Sequence, residues 1–215
     1  MTAAGMQGTS LVGAGEAAAL EWAVAGSALD GNASGDLHLV VPGNPLSLVC
    51  VMDGLGHGPD AQLASEECAA ILKSRMGAPL LDLIRAAHDG LRSTRGVAMT
   101  LGLIDAQRGR LEWVAIGNVE GLVLRPGLPR GPRHDAVVQR GGVVGYRLPP
   151  LKVSEVALEP NDVIVLATDG IKGGFGDQLE LPLGVRDLAD DIAQRFTKRS
   201  DDALVLVARY LGGAG

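Results

Sequence analysis

Carboxylates placed where apolar runs end are the chemically loaded feature of this 215-residue chain. Val49-Cys50-Val51-Met52 runs into Asp53-Gly54, and Ile164-Val165-Leu166-Ala167-Thr168 runs into Asp169-Gly170. Ser34-Gly35-Asp36 opens one apolar stretch and Ser200-Asp201-Asp202 opens another. A lone carboxylate at the tip of a buried strand is costly to desolvate. Several brought together repel one another and hold on to their protons. A divalent cation relieves both costs, and oxygen donors without a Cys/His cluster select Mg²⁺ or Mn²⁺ over structural Zn²⁺. One Asp-Gly pair is first of all a turn dipeptide; repetition at strand ends is the signal. Gly54 adds a backbone carbonyl that no side chain of its own obstructs. The stretch Asp53-Gly54-Leu55-Gly56-His57-Gly58-Pro59 then enters a helix with Pro59 in its first turn.

Other chemistries fit less well. Cys50 and Cys68 lie in apolar runs, which argues for buried, unreactive thiols in a reducing compartment rather than a cysteine nucleophile or a disulfide scaffold. Gly54-Leu55-Gly56-His57-Gly58 imitates a dinucleotide loop, but its spacing is GxGxG rather than GxGxxG, and Asp53 would face a pyrophosphate. The net charge is -6, and Lys73 is the first cation in the chain. An acidic N-terminal third repels phosphate backbones, so nucleic acid is not an expected partner. No apolar run is long enough to span a bilayer, and no basic-then-apolar leader opens the chain; a cytoplasmic location without membrane contact is expected.

The elements that must position these residues are readable from periodicity. Strands are expected over 22–27, 36–41, 46–52, 97–104, 111–116, 121–124, 153–158, 163–167 and 203–209. Several are continuous apolar runs, as for strands covered on both faces. Short turns such as Asp105-Ala-Gln-Arg-Gly109 favour antiparallel hairpins. Three segments, 59–76, 79–91 and 184–196, carry one apolar stripe each at helical spacing. The predicted class is α+β, with helices outside and sheets inside. Residues 1–18, rich in Gly and Ala, read as a loose tail, residues 19–212 as a single domain, and residues 125–150 as an irregular Pro/Gly-rich insertion with a strand at 136–139.

Ser34-Gly35-Asp36, Val51-Met52-Asp53-Gly54-Leu55-Gly56-His57-Gly58, Leu166-Ala167-Thr168-Asp169-Gly170 and Ser200-Asp201-Asp202-Ala203-Leu204-Val205 resemble, in order, the motifs of metal-dependent PPM (type 2C) protein phosphatases. The similarity is strongest to the bacterial SpoIIE/RsbU/RsbX branch, and among these to stand-alone RsbX-type phosphatases. It implies a four-layer α-β-β-α sandwich holding two Mn²⁺ or Mg²⁺ ions. By motif, Asp53 would bridge both ions, Asp169 and Asp201 would complete one site, and Asp36 with the Gly54 carbonyl would serve the other. Asp202 would support them from behind. The implied reaction is hydrolysis of phosphoserine or phosphothreonine by a metal-activated water. The implied partners are phosphorylated proteins, possible examples being STAS-domain stressosome or anti-sigma-antagonist proteins.

Some features depart from that pattern. The segment 22–27 has no phosphate-holding Arg, and Ser93-Thr94-Arg95-Gly96 stands where a further acidic ligand is often found. His38 reads as a solvent-facing strand residue. His57 is a candidate general acid for the leaving oxygen, along with the plainer role of fixing its loop by hydrogen bonding. Gly117-Asn118 reads equally as a turn or as a turn beside the site. His88 and His134 carry no argument. Arg125, Arg130, Arg133, Arg140 and Arg147 form a basic stretch that reads either as a surface for an acidic phosphoprotein or as charges that solubilise a loop. The rival reading is a catalytically inactive binding or scaffold module on the same fold.

Overall fold

Alternate residues of single strands feed different cores. In a computed structural model describing residues 10–17, 19–29, 33–126, 134–179, 183–198 and 200–213, the strand β4 (Leu46–Gly54) sends Leu48, Cys50 and Met52 to one side. It sends Val49 and Val51 to the other. Strands β11 (Val163–Ala167) and β12 (Ala203–Tyr210) divide in the same way, with Val163, Val165, Val205 and Val207 on one face and Ile164, Leu166, Leu204 and Leu206 on the other. This is why these segments read as unbroken apolar runs: both faces of each are covered.

Among the described residues, twelve strands form two sheets. The remaining ones are β1 (Ser10–Ala17), β2 (Leu20–Ser27), β3 (Asp36–Val41), β5 (Val97–Asp105), β6 (Arg110–Ile116), β7 (Glu120–Leu124), β8 (His134–Ala136), β9 (Gln139–Arg140) and β10 (Ser154–Ala157). One sheet has the order β1-β2-β12-β11-β7-β8 and the other β10-β6-β5-β4-β3, with β9 added beside β6. Every pairing is antiparallel except β6 with β9. Helices α1 (Pro59–Ser74) and α2 (Leu80–Gly90) cover the β3–β6 sheet, burying Ala64, Cys68, Leu72, Leu83 and Ile84. Helix α3 (Val185–Phe196) covers the other sheet with Leu188, Ile192 and Phe196. Val24, Val51, Trp113 and Ile164 pack in the layer between the sheets. The order helix, sheet, sheet, helix is the four-layer sandwich expected from the sequence.

Some expectations change. The loose tail predicted for residues 1–18 gives way over Ser10–Ala17, which hydrogen-bonds as an edge strand to β2; residues 1–9 and 18 lie outside the described residues. Small residues had masked a strand, because Gly and Ala carry little β-signal of their own. The strand predicted at 136–139 is split between β8, which extends one sheet, and β9, which joins the other. Residues 127–133 of that segment lie outside the described residues, Arg130 and Arg133 among them. His38 is half-buried rather than solvent-facing, and burial lowers the pKa of its ring. Among the described residues no helix is long and apolar enough to cross a membrane.

Candidate metal centre

Antiparallel topology collects the acidic turns at one edge. Asp36 opens β3 and Asp53 lies near the end of β4, and the register sets the two directly opposite each other. Gly54 in turn faces Val97 at the start of β5. In the second sheet β11 ends and β12 begins at this same end, placing Thr168-Asp169-Gly170 beside Asp201-Asp202. The β6–β7 connection, carrying Gly117-Asn118, crosses between the sheets there.

Hydrogen bonds then tie these turns together. The Thr168 hydroxyl donates to Asp36 Oδ2 at 2.7 Å and accepts from the Leu204 amide at 2.9 Å, joining the two sheets. Asn118 Nδ2 donates to Asp169 Oδ2 at 2.7 Å and reaches Asp53 Oδ2 at 3.5 Å, linking two carboxylates that lie on different sheets. Both oxygens of Asp202 are occupied: Oδ1 accepts from the Leu29 amide at 2.8 Å and Oδ2 from the Gly35 amide at 3.0 Å. Asp202 therefore fixes the loop leading to Asp36 from behind. The Ser65 hydroxyl donates to the Gly35 carbonyl at 2.6 Å and adds a tie from α1. The Lys198 ammonium donates to the Asp169 carbonyl.

Close backbone approach explains the glycines. A Cβ on Gly54 would fall 2.1 Å from the Ala61 carbonyl oxygen, so this glycine lets α1 pack against the end of β4. That requirement is additional to any use of its own carbonyl as a ligand. A Cβ on Gly170 would fall 1.8 Å from the Asp202 carbonyl oxygen. The loop after Asp53 turns through positive φ at Gly56 and Gly58, 88° and 80°, a region that favours glycine.

The electrostatics are those of crowded anions. Burial, with repulsion from Asp53, Asp202 and Asp201, raises the Asp36 pKa to about 8, although the Thr168 hydrogen bond opposes the rise. Burial, with repulsion from Asp169, Asp201 and Asp202, raises Asp53 to about 7 against the opposing Asn118 bond. Such a donor set, all oxygen and short of positive charge, chemically suits a hard divalent cation. The ligand shell is not closed. Among the described residues no three His, Cys, Asp or Glu groups come together tightly enough to hold an ion. Asp201 is exposed, and its Oδ1 accepts from the Asp202 amide at 2.9 Å.

The structure thus brings Asp36, Asp53, Gly54 and Asp169 to one edge, with Asp201 beside them but turned outward. His57 is exposed, and among the described residues its ring makes no hydrogen bond, so the loop-fixing bond is absent. The loop is instead closed by backbone, with the Leu55 amide donating to the Gly96 carbonyl at 3.0 Å. Sequence reading left Asn118 undecided and missed the parts played by Thr168 and Lys198. Thr168 had a usable signal, a hydroxyl immediately before Asp169-Gly170 at the end of a buried run. Lys198 had none.

The two facing sheets, their helical layers and the acidic edge define the PPM (type 2C) phosphatase fold, and solved structures with that fold superpose over most of the chain. RsbX in complex with magnesium gives a TM-score of 0.83 at 16% identity, covering 94% of this chain and 100% of that one. The Mycobacterium tuberculosis serine/threonine phosphatase PstP/Ppp gives 0.64 at 19% identity, covering 90% and 99%. A chain described under "The bacterial stressosome: a modular system that has been adapted to control secondary messenger signaling" gives 0.80 at 28% identity, covering 88% and 99%. The family model for Stage II sporulation protein E (SpoIIE) matches residues 47–211, and the chain belongs to that family. No curated protein sequence matches it significantly.

Proposed function

We propose that the chain is a metal-dependent serine/threonine phosphoprotein phosphatase acting in the cytoplasm within a bacterial stress or sigma-factor partner-switching pathway, in the manner of RsbX. The observation that carries this reading is the meeting of Asp36, Asp53 and Asp169 at one sheet edge, with two of these carboxyls raised to about 8 and about 7. Asp36, Asp53, Asp169, Asp201 and the Gly54 carbonyl would hold two Mn²⁺ or Mg²⁺ ions. Bound there, such ions lower the pKa of a coordinated water and neutralise phosphate charge.

The chain's own residues perform the positioning. Thr168 ties down Asp36 by a hydrogen bond, and Asn118 does the same for Asp169. The Asp202 carboxylate anchors the Gly35 loop, so Asp36 cannot drift from Asp53. Asp201 must turn from the Asp202 amide to join the ligands. His57, exposed on the loop after Asp53, would give a proton to the departing Ser or Thr oxygen. The substrates are phosphorylated proteins, with STAS-domain stressosome or anti-sigma-antagonist proteins as the class that the SpoIIE family and the stressosome likeness support.

The outward Asp201 and the open shell favour a second reading, an inactive binding module on the same fold. Phosphate release from a phosphoserine protein separates the two. The phosphatase reading expects Mn²⁺-dependent release that chelation abolishes. It also expects loss of about 10³-fold or more in Asp53→Asn or Asp169→Asn, with folding retained. Undetectable release by the Mn²⁺-loaded wild type, or unchanged release by either variant, contradicts it.

A further inference from the structure

The turn at 143–147 is built more rigidly than an incidental loop. Val143 and Arg147 exchange both backbone hydrogen bonds at 2.8 Å. Val144 is fully buried and pairs with Val97 through two bonds of 3.0 and 2.9 Å. The Gly145 amide donates to His88 Nδ1 at 2.9 Å, which gives that histidine a structural task. Gly145 has φ 98°, and a Cβ there would fall 2.8 Å from the Leu91 side chain. Gly96 permits the approach from the other side, since its Cβ would fall 2.5 Å from the Val144 carbonyl oxygen.

What this rigid turn displays is unusual for the molecule. Tyr146 at its tip is 81% exposed, while Trp113, Phe175, Phe196 and Tyr210 are buried. Arg147 beside it is also exposed, and among the described residues no carboxylate pairs with it. Position gives the display its meaning. Val97 pairs with Gly54 on one side and Val144 on the other. The turn therefore lies two strand spacings, roughly 10 Å, from the Asp53-Gly54 corner and at the same end of the sheet. The Arg95 guanidinium pairs with Asp60 at 2.9 Å and lies 2.7 Å from where a Gly56 Cβ would be.

We propose that Tyr146 and Arg147 form a docking rim that receives acidic residues flanking the phosphorylated Ser or Thr of the substrate protein. This rests on the phosphatase reading and deepens it by naming a recognition surface and the charge of what it recognises. A Tyr on a hydrogen-bonded backbone turn, beside an Arg that no carboxylate pairs with among the described residues, supplies contact area together with a carboxylate-seeking fork. In a chain of net charge -6, a local cationic rim is the feature that admits an acidic segment to an acidic centre.

The test compares a phosphoserine peptide flanked by aspartates with the same peptide carrying asparagines, alongside p-nitrophenyl phosphate, all with Mn²⁺. Wild type is expected to favour the acidic peptide by about tenfold in kcat/KM. Tyr146→Ala and Arg147→Glu are each expected to reduce that preference about fivefold through KM, with the small ester altered less than about twofold. No preference in the wild type, or an intact preference in both variants, overturns the rim. Equal loss on the small ester also overturns it, because the turn would then serve the centre rather than docking. Absence of ester turnover by the wild type defeats the phosphatase reading instead. The rim is then read by fluorescence anisotropy of the labelled acidic peptide, where weaker binding to Arg147→Glu sustains it and equal binding removes it.

Discussion

Thr168 is the residue on which the two halves of the centre depend. Its hydroxyl is buried, donates to Asp36 and accepts from the Leu204 amide, so one oxygen satisfies a carboxylate from one sheet and a backbone group from the other. Thr168→Val keeps the shape and leaves both partners unpaired. It is expected to cost about 1–3 kcal/mol in urea unfolding, in line with orphaned buried polar groups; a loss below about 0.5 kcal/mol would show that the tie is dispensable. Residue-scale legibility was uneven for a physical reason. Aspartates at the ends of apolar runs are conspicuous because burial of a charge demands compensation. Asn118 and Lys198 make their contacts across 51 and 29 residues, and no local pattern reports such pairings.

Elements were the most legible level. Segments 36–41 and 163–167 coincide with β3 and β11, and the other expected strands outside 125–150 differ by a residue or two at their ends. Their apolar runs are long because each strand serves two cores. Three strands were poorly read, whereas the edge strands β3 and β10 were not. The glycine- and alanine-rich β1 and the short β8 and β9 gain their order from neighbouring strands, which the sequence does not display locally. Glycine contacts carry the element-scale prediction. Gly170→Ala would force a Cβ to within 1.8 Å of the Asp202 carbonyl, so the β11 and β12 ends must separate. It is expected to lower stability by at least about 2 kcal/mol. Gly141→Ala, where an added Cβ meets nothing within 4 Å, is expected to stay within about 0.5 kcal/mol of wild type. Equal melting temperatures for the two variants would contradict the packing account.

At the scale of the whole molecule, the sandwich crowds carboxyl groups at one end, and the proposed cations would relieve that crowding. Asp36 and Asp53 keep protons to about pH 8 and about pH 7, whereas both carboxyls start from 3.8 when unperturbed. Across that interval the folded protein binds protons that the unfolded chain has released, so stability falls as pH rises from about 4 to about 8. The melting temperature in chelator is expected to decline over this range, less steeply in Asp36→Asn, and Mn²⁺ is expected to remove the decline. A profile in chelator that is the same for wild type and Asp36→Asn would count against it. Calorimetric titration of Mn²⁺ into the wild type and into Asp53→Asn tests the account most directly. The account predicts two ions bound per wild-type chain and no tight binding by a folded Asp53→Asn. No binding to the wild type, or the same isotherm for both proteins, would contradict it.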